Sequence, residues 1–79
     1  MDKSNIKAIC GEVFKDLRTQ KGISQESLAF EAGLDRSYIS KLETGVYQPS
    51  ITTLFAIAQV LEVDPSAIVK KMYDIYLES

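Results

Sequence analysis

In the stretch Asp35-Arg36-Ser37-Tyr38-Ile39-Ser40-Lys41-Leu42-Glu43, four polar side chains recur at helical spacing: Arg36, Ser37, Ser40 and Lys41. Ile39 and Leu42 fall on the other side of the same turns. Wound as a helix, this segment turns an apolar edge inward and holds a row of hydrogen-bonding groups outward. A helix of that kind fits the major groove of B-form DNA, where each base pair shows its own donor and acceptor pattern. Arginine and lysine can each donate two bonds to guanine, and serine can donate or accept.

Most other chemistries fail on inventory. The 79 residues contain no histidine and a single cysteine, Cys10. An internal disulfide is excluded, and so are zinc ligation and Ser-His or Cys-His catalysis. With no phosphate-binding glycine loop either, no reaction can be assembled, so no enzyme, cofactor, metal or small-molecule ligand is expected. Cys10 falls on an inward helix face and reads as a small buried hydrophobe rather than a redox sensor.

Charge limits how nucleic acid could be held. Nine Lys+Arg against eleven Asp+Glu leave a net charge of −2, so no global basic field is present. Residues 1–23 carry five basic and three acidic side chains, whereas residues 24–50 and 51–79 each carry two basic and four acidic. A face that binds a polyanion must therefore be local and must also use backbone N–H groups and helix N-termini.

The elements that position such a face can be read from start and stop signals. A first helix is expected from about Asn5 to Gln20, with Ile6, Cys10, Phe14 and Leu17 inward and Gly22 past its end. Ser24 caps a second helix, stapled by Ile23 and Leu28 and ended by Gly33. Asp35 is expected to cap the third, Arg36 to about Glu43, with Gly45 after it. Ser50 caps a fourth with apolar positions Ile51, Leu54, Ile57, Ala58 and Leu61, and Asp64-Pro65 opens a fifth that runs to about Leu77. The short turn Ala32-Gly33-Leu34-Asp35 forces the second and third helices to cross steeply, which is a helix-turn-helix spanning about 24–43.

The fifth helix carries more apolar surface than one core stripe needs. That excess marks an interface. A C2 homodimer through residues of about 65–77 is expected, with Ile68, Met72, Tyr73, Ile75 and Tyr76 as contacts. No apolar run spans a bilayer, and Met1-Asp2-Lys3-Ser4-Asn5 lacks a leader layout. One cytoplasmic domain covering 1–79, with no membrane contact, is the expectation.

Gly11-Glu12-Val13-Phe14-Lys15-Asp16-Leu17-Arg18 and Lys21-Gly22-Ile23-Ser24-Gln25-Glu26-Ser27-Leu28-Ala29 resemble the opening of the Cro/repressor-type (XRE) helix-turn-helix domains. Leu34 through Gly45 resembles their recognition helix and its exit, and Pro49-Ser50 through Leu61 their next helix. The resemblance covers about Gly11 to Ser66, and Leu-Asp-Arg-Ser-Tyr-Ile-Ser is most similar to controller proteins of restriction–modification systems. It implies an all-α, compact five-helix, lambda-repressor-like fold. It also implies a homodimeric regulator of double-stranded DNA on palindromic operators, its recognition helices one turn or about 34 Å apart.

By resemblance, Arg36, Ser37 and Lys41 read base edges. Gln25, Tyr38, Ser40, Thr44, Val46, Tyr47 and Gln48 contact the DNA backbone, and Arg18 pairs with Glu43 beneath the recognition helix. The Val46-Tyr47-Gln48 loop is uncharged where the family's is often basic, which implies a shallow salt dependence. Regulation is expected to come from occupancy, by blocking RNA polymerase or by recruiting it through an acidic surface. The alternative reading is a DNA-binding antitoxin or stand-alone repressor whose last helix binds a partner protein.

Overall fold

The computed structural model describes residues 5–78, so the Met1-Asp2-Lys3-Ser4 stretch lies outside them. Five helices follow in order: α1 (Ile6–Lys21), α2 (Gln25–Ala32), α3 (Arg36–Glu43), α4 (Ile51–Leu61) and α5 (Pro65–Glu78). No strand forms among the described residues, and the fold is all-α as the patterning implies.

Local chemistry sets the boundaries. Asn5 Oδ1, Ser24 Oγ and Ser50 Oγ each accept a bond from the backbone N–H three residues on, at 3.3, 3.0 and 3.1 Å. These bonds satisfy donors that a helix start leaves open. Asp64 Oδ1 accepts from the Ser66 N–H at 2.9 Å and its hydroxyl at 2.8 Å. Those two bonds, the side-chain one foremost, hold the Asp64 carboxyl below its usual range. The third start corrects the sequence reading. Asp35 occupies the cap position, but its carboxylate makes no capping bond. Only its carbonyl serves α3, accepting from Tyr38 and Ile39.

Between α2 and α3, Gly33 sits at φ 71°, a conformation that costs side-chain-bearing residues energy. Its N–H and that of Leu34 close onto the α2 carbonyls of Phe30 and Ala29. The reversal is thus complete within three residues.

The core gathers Ile9, Cys10, Val13, Phe14 and Leu17 from α1, Leu28 and Ala29 from α2, and Ile39 and Leu42 from α3. Leu54, Ile57, Ala58 and Leu61 come from α4 and Ile68 from α5. α1 packs against both α3 and α5, and α2 against α3 and α4. Where α1 crosses the end of α3, a Cβ on Gly11 would collide with the Leu42 and Glu43 carbonyl oxygens, 2.7 Å from the latter. Only glycine allows that approach. Desolvation in this core raises the Cys10 thiol to about 11.

Several apolar assignments need correction. On α1 the inward stripe takes in Ile9 and Val13, while Ile6 is only half-buried. Ile51, expected inward, stands 69% exposed at the first position of α4, beyond the reach of the core. Ile68, expected at a dimer contact, is 0% exposed and belongs to the protein's own core. On α5 the stripe Ile68, Met72 and Ile75 packs inward at helical spacing, so Ile75, likewise expected at a dimer contact, turns to the protein's own core. The exposed stripe lies about a hundred degrees round, at Val69, Tyr73 and Leu77.

Candidate nucleic-acid interface

α3 projects one face to solvent. Arg36, Ser37 and Lys41 are exposed along it, and Tyr38 and Ser40 are half-buried at its flanks. Ile39 and Leu42 anchor the opposite edge. Being only eight residues long, α3 depends on tertiary packing rather than propensity to persist.

Beneath it lies a part-buried polar brace. Arg18 Nε donates to Glu43 Oε2 at 2.6 Å and Nη2 to Oε1 at 3.0 Å, a bidentate pair. The side chains are 12% and 2% exposed, so water screens the pair little. Hydrogen bonding to Glu43 raises the Arg18 pKa, and burial only partly offsets it. Arg18 Nη1 also donates to the Ile23 carbonyl at 2.8 Å. Gln25 Nε2 donates to Glu43 Oε1 at 3.0 Å. The start of α2 and the end of α3 are therefore tied through one carboxylate to α1. The family resemblance implies a phosphate contact for Gln25. Here one of its amide protons serves the brace, and the other remains for an outside acceptor. No local signal foretells this bond, which crosses 18 residues and depends on how α2 packs on α3.

The exit loop is also more internally bonded than its sequence suggests. The Thr44 hydroxyl donates to the Ser40 carbonyl at 2.9 Å. The N–H groups of Val46 and Tyr47 both donate to the Lys41 carbonyl, at 2.9 and 3.2 Å. Val46 can offer a phosphate no free N–H unless that bond breaks, so its assigned role reduces to apolar contact. The Tyr47 phenol and the exposed Gln48 amide are the polar groups the loop can turn outward.

A second exposed face lies where α5 meets α1 and α4 and reaches Gln48 of the loop after α3. Ile6, Ile51, Phe55, Val69, Met72, Tyr73 and Tyr76 line connected grooves where α5 meets α1 and α4. Tyr73 is 52% exposed and stacks on Tyr76 with ring centroids 6.4 Å apart. Val69, part of the apolar excess of the fifth helix, belongs to this face, and so does Phe55, which the sequence reading does not single out although it lies four residues from Ile51. No single helix among the described residues is long and apolar enough to cross a membrane.

A short helix with a polar outer face and a buried apolar edge, joined to α2 by a three-residue turn, is a helix-turn-helix arrangement. A helix-turn-helix family model matches residues 14–68, and the chain belongs to that family, in its XRE type. It is thus a DNA-binding transcriptional regulator, not an enzyme. Control protein C.BamHI of Bacillus amyloliquefaciens is 38% identical over 63 residues, covering 78% of each chain. The restriction–modification controller protein C.AhdI from Aeromonas hydrophila is 39% identical. It superposes with a TM-score of 0.75 over 77% of this chain and 92% of that one. Controller protein C.Esp1396I, solved as a tetramer in complex with its natural 35 base-pair operator, is 32% identical. Its TM-score is 0.82 over 91% of this chain and 95% of that one.

Proposed function

We propose that this regulator acts in the cytoplasm as a C2 homodimer on a two-fold operator, in the manner of a restriction–modification controller protein. The exposed outer face of α3, resting on the part-buried Arg18–Glu43 pair, carries this reading. Arg36, Ser37 and Lys41 contact base edges, where their donors match guanine O6 and N7. Gln25, Tyr38, Ser40, Tyr47 and Gln48 hold sugar and phosphate, fixing register rather than sequence.

One such helix reads too few base pairs to select a site in a genome, so two must act together. The face around Val69 and Tyr73, joined by Ile51 and Phe55, is apolar and exposed, with the half-buried Met72 and Tyr76 at its edge. Self-association there leaves both reading helices free. Bound over a promoter, the dimer excludes RNA polymerase; bound just upstream, it presents the exposed Glu26 and Glu31 of α2 to it. Similarity to C.BamHI and C.AhdI supports the controller role.

Selection of bound sites from random duplex DNA tests this function directly. The expected product is a palindrome with half-sites one helical turn apart. A non-palindromic consensus, or none, would refute it.

A further inference from the structure

Lys41 and Tyr47 hold each other from both ends. The Tyr47 N–H donates to the Lys41 carbonyl at 3.2 Å, and the Lys41 ammonium lies 5.3 Å from the centre of the Tyr47 ring. A cation over an aromatic face at that range is attracted by the ring's quadrupole. Tyr38 closes the group from α3, its ring 5.8 Å from that of Tyr47 and tilted by 32°. The loop bearing Tyr47 is itself seated. Gly45, at φ 79°, lies so close to α1 that a Cβ would stand 3.0 Å from Ala8 Cα.

A lysine normally explores many rotamers of a four-carbon stem and meets DNA as a mobile point charge. Here its ammonium is confined on a ring whose backbone is bonded to the same residue. We propose that Tyr47 is a specificity-determining positioning residue, which restricts Lys41 to one approach and thereby sets the base pair it reads. This rests on Lys41 being a base contact. It assigns Tyr47 more than phosphate binding, since a phosphate contact carries no sequence information.

The test compares base preferences of purified full-length variants on the selected operator and on single-base-pair substitutions of it. Lys41→Ala flattens preference at one position of each half-site. Tyr47→Leu flattens the same position by about five-fold, the size of a partly exposed cation–π contact, on top of a uniform weakening toward all duplex DNA from the lost phenol, a weakening that Tyr47→Phe shows by itself. Tyr47→Phe, which keeps the ring, retains the preference. In the double variant Tyr47→Leu adds nothing to Lys41→Ala at that position. If Tyr47→Leu weakens all sequences equally, or leaves the profile intact, the proposal is overturned while the base-reading role of Lys41 stands. If Lys41→Ala flattens no position, that role falls and the proposal with it. Thermal melts of each variant report any loss of fold separately.

Discussion

The outer faces of α3 and α5 both project from one core, yet they are exposed for different reasons. On α3 polarity divides the helix cleanly: Ile39 and Leu42 go in, while Arg36, Ser37 and Lys41 stay out. On α5 both sides are apolar. Ile68 lies fully inside, and Val69, one residue on, is half exposed. Residue type alone therefore separates inward from outward positions on α3 but not on α5, where only rotation about the axis does. The two faces also rest on different supports. α3 stands on a charged brace, whereas α5 contributes one fully buried residue of its own to the core.

The strongest way to break the contrast is to remove that brace. Glu43→Ala leaves the part-buried Arg18 charge without its carboxylate, with only the Ile23 carbonyl as partner, and Gln25 without its acceptor. Unfolding free energy in urea should drop by about 3–5 kcal/mol. A loss within experimental error would show that α3 does not depend on the pair. Next comes the apolar face. Tyr73→Asp should weaken self-association by about 2–4 kcal/mol, as for a central interface aromatic, and abolish operator binding with it. Phe30, 85% exposed on α2, supplies the control, since Phe30→Asp should leave the dimer intact in analytical ultracentrifugation. A dimer that survives the first change and dissociates on the second would move the interface to α2.

On the reading face, Arg36→Ala should cost about 1–3 kcal/mol of specific binding and relax preference at one base position. Equal weakening toward random DNA in filter-binding or anisotropy titrations would reassign Arg36 to phosphate. The smallest effect lies in the core both faces share. Burial raises the Cys10 thiol to about 11 against an ordinary 9.0, so the folded state keeps the proton longer than the unfolded chain. That stabilisation is complete below about pH 9 and fades as pH rises toward 11. Between pH 8 and 10 the protein should lose about 1 kcal/mol that Cys10→Ala does not lose. Parallel pH slopes for the two proteins would place the thiol in water.

Much of this frame could be read from residues in order. Caps at Ser24 and Ser50, Gly33 in the turn and Pro65 at a helix start are local signals, so the five helices stand close to their expected bounds. The donor row on α3 was equally plain. What escaped depends on packing. Resemblance pointed to the Arg18–Glu43 pair, but Gln25 joins it only because the α2 start lies over the α3 end. Asp35 has the residue type of a cap and the backbone of one, without the bond. The same holds for Ile51, apolar and in phase with Leu54, yet one turn too early to reach the core. Lys41 and Tyr47 meet across a chain reversal that no periodicity encodes.

Gly11 ties the frame to the far end of α3 through backbone atoms alone, the Leu42 and Glu43 carbonyls. Nothing in that seat refers to which side chains stand at 36, 37 or 41. The outer side chains at 36 and 37 can therefore be exchanged while this mounting stays untouched, whereas the one at 41 is also held by Tyr47. Changing the mounting instead, with so little as one methyl group, disturbs all three positions alike.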